Sequence, residues 1–161
     1  MTVANIKLDA VDRRLLNALQ ENGRIPVTDL AEIVGLTTSP CLRRLKILEQ
    51  AGIIRGYAAL VDQTKVGLPV SVFISVKLEM QREEALERFE ATMRDCPEVV
   101  ECYLMTGPRD YLLRVVAKDL AAYERFLKQT LTRIEGVASI ESSFALSQVK
   151  YSNLLPIANA G

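Results

Sequence analysis

The chain has 161 residues, 49% of them hydrophobic and 25% charged, the balance of one or two folded domains, which excludes a disordered or fibrous chain. Twenty basic residues cancel twenty acidic ones, and the absence of histidine excludes Ser-His-Asp and Cys-His catalysis. Residues 1–60 hold eight Lys and Arg against six Asp and Glu, so the neutral total combines a basic first part with an acidic remainder. The three cysteines, Cys41, Cys96 and Cys102, are odd in number, lack C-x-x-C spacing and have apolar neighbours. They are expected to be buried packing residues in a reduced cytoplasm, with no disulfide framework, metal site or cofactor, and a redox sensor is the less favoured alternative. No run approaches the roughly 18 apolar residues of a membrane span, and Lys7, Asp9, Asp12, Arg13 and Arg14 interrupt the place of a signal peptide's apolar core. A cytoplasmic chain with no membrane partner is expected.

A first helix is predicted over 9–22, with Asp9 as N-cap and Leu15, Leu16 and Leu19 at helical spacing before Asn22-Gly23. A second spans about 28–34, capped by Thr28 and closed by Gly35. The third runs from about 39 to 51, with Thr38 as N-cap, Pro40 in its first turn and Gly52 at its end. Residues 53–57 and 58–61 read as a small β-ribbon, and the polar, breaker-rich stretch 62–69 as a hinge. Beyond it come a period-2 strand at 70–78, a helix from 83 to about 94, strands at 99–106 and 111–117 joined by the turn Gly107-Pro108-Arg109-Asp110, a helix at 120–131, and a strand at 137–144. Residues 146–154 are expected as an extra strand or tail.

The fold class is therefore α+β: a helix-turn-helix domain with a β-ribbon (1–61), the hinge (62–69), and a βαββαβ, ferredoxin-like domain (70–161) with both helices on one face of an antiparallel sheet. In strict alternation Val99, Tyr103 and Met105 point opposite to Val100, Cys102 and Leu104, so both sheet faces look apolar and the bare one should bury itself against a second copy.

Ala31 and Gly35 have the spacing of a small residue at a steep helix crossing followed by a glycine that turns the chain. With Cys41, Leu45 and Leu48 as the buried seam of the third helix, its opposite side presents Ser39, Arg43, Lys46, Ile47 and Gln50. A polar, basic face suits the major groove, where Arg reads guanine, Gln reads adenine and Lys meets phosphate. A solvated helix face is the plainer alternative. With so small a net charge, one copy would bind weakly, and several copies acting together would supply the affinity.

The order of these parts resembles the Lrp/AsnC family of transcriptional regulators. Leu8-Asp9 with Asp12-Arg13, the run from Leu36 to Leu45, Leu48-Glu49 and Gly52-Ile53-Ile54 carry the likeness in the first domain. The run from Thr106 to Leu113, Gly136-Val137 and Ser142-Ser143-Phe144 carry it in the second. The resemblance implies a DNA-binding regulator, not an enzyme, that dimerises through sheet faces, assembles into octamers and binds a free amino acid between dimers.

Its DNA-contacting residues would be Thr38, Ser39, Pro40, Arg43, Arg44, Lys46, Ile47 and Gln50. Its effector residues would be Tyr103, Met105, Thr106, Gly107, Pro108, Arg109, Asp110 and Tyr111, with Ser143 and Phe144 from a neighbouring strand or subunit. A glycine turn can offer N–H groups to an α-carboxylate, and Asp110 either faces an α-ammonium or caps the turn itself. A hairpin turn and nothing more is the alternative there. Pro108 departs from the family pattern, in which this position is often not proline, and it removes one N–H. An effector-independent architectural DNA-binding protein is the second functional reading. An amino-acid-handling enzyme is a third, opposed by the lack of any reacting constellation.

Overall fold

Asp9 stops being extended chain and becomes a helix cap because its carboxylate accepts the Asp12 N–H at 2.8 Å while the Asp12 carboxylate accepts the Asp9 N–H at 3.1 Å. This reciprocal box opens helix α1, Ala10–Glu21. The computed structural model describes residues 7–158, and the extremities 1–6 and 159–161 of the two expected domains lie outside the described residues. Two compact units emerge: the chain up to Leu60 together with the chain from Lys150 on, and Val61–Val149.

In the first unit, α1 is followed by α2, Val27–Val34, and α3, Thr38–Gln50. Leu15, Leu30, Ala31, Val34, Cys41 and Leu45 form the core. Helix α2 begins one residue before the expected Thr28 and has Pro26 at its N-cap; the Thr28 hydroxyl bonds to the Asp29 carboxylate instead of capping. Likewise Thr37 takes the N-cap of α3 and Thr38 is its first helical residue. Gly35 turns the chain between α2 and α3 at φ +71°, in the left-handed region that favours glycine.

The β-ribbon expected at 53–61 is not formed: no strand is paired there among the described residues. Tyr57, Leu60 and Val61 are each more than half exposed, so the segment lacks the packed face that an isolated two-stranded ribbon needs. Tyr57 instead donates its hydroxyl hydrogen to Glu49 at 3.0 Å. Residues 150–158, expected at the end of the sheet domain, lie in this helical unit, where the main chain of Leu155, Ile157 and Ala158 bonds to α1.

The second unit runs β1 Val70–Leu78, α4 Glu83–Asp95, β2 Val99–Leu104, β3 Tyr111–Ala117, α5 Leu120–Gln129, a 3-10 turn at Leu131–Arg133, and β4 Val137–Phe144. The antiparallel sheet has the order β2-β3-β1-β4, the arrangement expected of βαββαβ. Val72, Ile74 and Val76 of β1 align with Val115, Leu113 and Tyr111 of β3, and this set packs with Phe89 and Met93 of α4 and Tyr123 and Phe126 of α5.

The other face carries Phe73, Ser75, Leu112, Arg114, Tyr103 and Ser143, so it is a small apolar patch in a polar frame and not a second apolar face. Ser71 and Ser75 of β1, Arg114 of β3 and Glu141 and Ser143 of β4 supply that frame, and a bulge between Val99 and Glu101 takes Val99 out of the patch. One extra residue reverses the alternation, so Val99 shares the helix-covered side with Cys102 and Leu104, while Glu101 and Tyr103 occupy the open one.

The expected hinge is an ordered turn. The Asp62 carboxylate accepts the N–H groups of Thr64 and Lys65, and the Gln63 side chain joins the Ser71 hydroxyl and the Arg114 guanidinium at 2.9–3.0 Å. Residues 146–154 form no strand.

Candidate functional site

Helix α3 buries Cys41, Leu45 and Leu48 and exposes Thr38, Ser39, Arg43, Lys46, Ile47 and Gln50, with Pro40 half-buried. Arg43 and Lys46 make no ion pair or side-chain hydrogen bond among the described residues, so their charge is available to a partner. Thr37 makes no side-chain cap bond, so the leading N–H groups of the helix, at Thr38 and Ser39, receive no acceptor from the cap residue's side chain.

Arg44 is different from the other expected contacts. Its Nη1 lies 2.7 Å from both Asp9 and Asp12, fastening α3 to the capping box of α1. Its side chain is about a third exposed. The Asp12 backbone N–H, and then the Arg44 guanidinium, hold the Asp9 carboxyl below its usual range. The two carboxylates in turn raise the Arg44 guanidinium further. The sequence held a signal for this: at ~100° per residue Arg44 sits about 60° from Cys41, beside the seam and away from the opposite face. Leu42, 41% exposed on the flank of that face, is the position that seam counting overlooked.

In the second unit the turn between β2 and β3 is held from inside. Asp110, 3% exposed, accepts the Leu78 N–H at 2.6 Å and the Gln81 side-chain N–H at 2.5 Å. Its own N–H donates to Val76 and its carbonyl accepts the Met105 N–H. The Asp110 carboxylate therefore ties the turn to the end of β1, neither capping the turn's own N–H groups nor facing an incoming ammonium. Arg109 donates to Ser139 and Glu141 on β4, both at 2.8 Å. Thr106, Gly107 and Pro108 are exposed, with Gly107 at φ +113°. The N–H groups of Thr106, Gly107 and Arg109 find no acceptor among the described residues, whereas Pro108 has none to offer.

Tyr111 turns away from this loop. Its ring meets Phe89 at 4.4 Å between centroids, and its hydroxyl donates to Glu90 at 3.1 Å. Burial, reinforced by Glu90, pushes its phenol well up. Tyr103 and Met105 stay about half exposed near the turn. Ser143 and Phe144 are not brought to it within the chain: Ser143 pairs with Phe73, and Phe144 packs edge-on against Tyr123 at 5.3 Å.

A cavity of about 360 Å³ lies on the helix side of β2, lined chiefly by Glu90, Met93 and Arg94 of α4, Val99, Cys102 and Leu104 of β2, and Tyr111. Periodicity missed it because the bulge that brings Val99 to the same side as Cys102 and Leu104 leaves no mark in the hydrophobic pattern. Cys102 is exposed there, contrary to the expected burial; Cys41 is buried and Cys96 half-buried. Full burial raises the Cys41 thiol, and partial desolvation joined by nearby carboxylates, Glu98 and Asp95 at Cys96 and Glu90 at Cys102, raises the other two, which opposes thiolate chemistry. No cluster of three or more His, Cys, Asp or Glu suited to a metal ion occurs among the described residues. Nor is any described helix long and apolar enough to cross a membrane.

Residues 8–55 match a winged helix-turn-helix DNA-binding family, and residues 71–155 match the Lrp/AsnC ligand binding domain. The chain is 48% identical over 151 residues to the Bkd operon transcriptional regulator of Pseudomonas aeruginosa, covering 94% of this chain and 99% of that one. It is 41% identical to the DNA-binding transcriptional activator DecR of Escherichia coli, covering 93% and 99%. Among solved structures, a transcriptional regulator of Neisseria meningitidis in complex with L-Met superposes with a TM-score of 0.88 at 44% identity, covering 93% of this chain and 97% of that one.

Proposed function

The chain belongs to the Lrp/AsnC family of transcriptional regulators, and from that premise we propose that α3 reads operator DNA while the sheet unit binds a free amino acid and assembles copies of the chain. The observation that carries the DNA half is the pair Arg43 and Lys46, unpartnered among the described residues, on the exposed side of a helix whose neighbouring cation, Arg44, is held by Asp9 and Asp12. Arg43 and Gln50 face base edges, Ser39 and Lys46 face phosphate, and Ile47 and Leu42 meet thymine methyl groups. In a mobility-shift titration on the operator, Arg43→Ala with Lys46→Ala should weaken binding strongly; wild-type affinity in that variant would refute the assignment.

The effector half rests on the methionine complex of the Neisseria relative and on the open N–H groups around Gly107. Such a group of N–H donors suits an α-carboxylate, and the ligand acts by its differential affinity for two assembly states. Calorimetry against the twenty amino acids tests this, and the absence of heat with all of them would exclude it. Pro108 favours a second reading, an architectural DNA-binding protein indifferent to amino acids, which the same titration separates from the first.

Assembly begins at the open sheet face, where Phe73 (39% exposed), Tyr103 (52% exposed) and Leu112 gain burial against a second copy, and dimers then build octamers. Phe73→Asp should shift the sedimentation of the protein to a smaller species; an unchanged profile would place the dimer contact elsewhere.

A further inference from the structure

Helix α1 uses two of its sides in ways already described: Leu15 and Leu16 enter the core, and Asp9 and Asp12 hold Arg44 of the recognition helix. A third side carries Arg13, Asn17 and Gln20, whose i, i+4, i+7 spacing sets them in one row along the helix. Each member of that row grips main chain of residues 155–158. Arg13 Nη1 donates to the Ala158 carbonyl at 3.3 Å and Asn17 Nδ2 to the Ile157 carbonyl at 3.2 Å. Gln20 makes a two-way pair with Leu155, donating to its carbonyl at 3.2 Å and accepting its N–H at 2.6 Å.

The segment runs opposite to the helix, and the Gln20 side chain reproduces on it one rung of a β-ladder. Nearly all of the recognition is of backbone. Leu154 and Leu155 keep their side chains exposed, and only Ile157 is half-buried. Ahead of the segment, Leu146 and Val149 are almost wholly exposed, so nothing in the intervening stretch forces residues 155–158 onto α1. Docking is therefore a property of the row itself.

We propose that the outer side of α1 is a docking surface for residues 155–158 of this chain, and that this segment acts as a strap completing the DNA-binding unit. The DNA-binding part is then discontinuous in sequence, the helices of residues 8–60 closed by a piece encoded after the sheet. By holding α1, the strap also holds the two carboxylates on which Arg44 fastens α3.

Hydrogen exchange of the full-length protein compared with a chain ending at Ser152 tests this. Without the strap, α1 amides should exchange roughly tenfold faster or more, because local opening becomes easier, while the β1 and β3 amides keep their protection. Gln20→Ala should give a smaller change of the same kind. A synthetic peptide of residues 150–161 added to the shortened protein should restore the protection of α1. Equal α1 exchange in the full and shortened chains overturns the proposal. So does a loss of protection that the peptide fails to restore, since that loss would come from general unfolding and not from an empty docking surface.

Discussion

The two arginines that follow one another on α3 and the two charged residues that follow one another in the β2–β3 turn teach opposite lessons. On α3, Arg43 has no side-chain partner among the described residues while Arg44 is bound to Asp9 and Asp12. In the turn, Arg109 and Asp110 are both engaged within the chain, one by Ser139 and Glu141, the other by the Leu78 N–H and Gln81. A charged side chain that the fold leaves unsatisfied is available for recognition, and one that the fold satisfies is holding something. By this measure α3 has charged side chains to offer a partner, whereas the turn has only its backbone N–H groups.

The largest effect that sharpens this contrast is expected at Asp110. Asp110→Ala strands the Leu78 N–H in the interior and frees Gln81, costing about 2–3 kcal/mol of stability in the sheet unit. Urea unfolding followed by the exchange protection of the β1 and β3 amides should show it. Unaltered stability would mean that Asp110 is free for a ligand after all. Next comes Arg43→Ala with Lys46→Ala, which should weaken operator binding by about 1–3 kcal/mol with little change in melting temperature, read by mobility shift beside calorimetry.

Arg44→Ala should behave in reverse. It should lower the stability of the helical unit by about 1–2 kcal/mol, a value kept modest because the guanidinium is partly solvated, and its effect on DNA should follow from that loss. If instead it weakened DNA binding more than Arg43→Ala and left melting unchanged, the division between the two arginines would collapse.

The smallest effects separate the units by pH. The depressed carboxyl of Asp9 contributes stability that is present above its unfolded value of about 4 and is lost as pH falls through the folded one, so acid should loosen the helical unit. The raised phenol of Tyr111 contributes stability that is present below its unfolded value of about 10 and is lost as pH rises through the folded one, so alkali should loosen the sheet unit. Asp9→Asn should flatten the acid limb seen by exchange at α1 amides, and Tyr111→Phe the alkaline limb seen at β3 amides. A single transition common to both sets of amides at either extreme would contradict the assignment.

The sequence by itself determined the helices, the four strands of the sheet and the exposed side of α3, though not the unpaired state of residues 53–61, because these follow from short-range periodicity and from caps such as Asp9, whose partners lie within four residues. It also placed Gly35 and Gly107 at turns where φ must be positive. Tertiary structure alone decided which charges remain free. Arg44 meets carboxylates more than thirty residues away, and Asp110 meets an N–H thirty-two residues away. No local pattern encodes either pairing. The bulge after Val99 moved that residue to the helix-covered side, where it lines the cavity beside Cys102, and so left the patch around Phe73 and Tyr103 smaller than strict alternation predicts. The tail, too, reads as a featureless polar-apolar stretch until Arg13, Asn17 and Gln20 are seen holding its backbone, because backbone recognition leaves almost no trace in the side chains of the segment that is held.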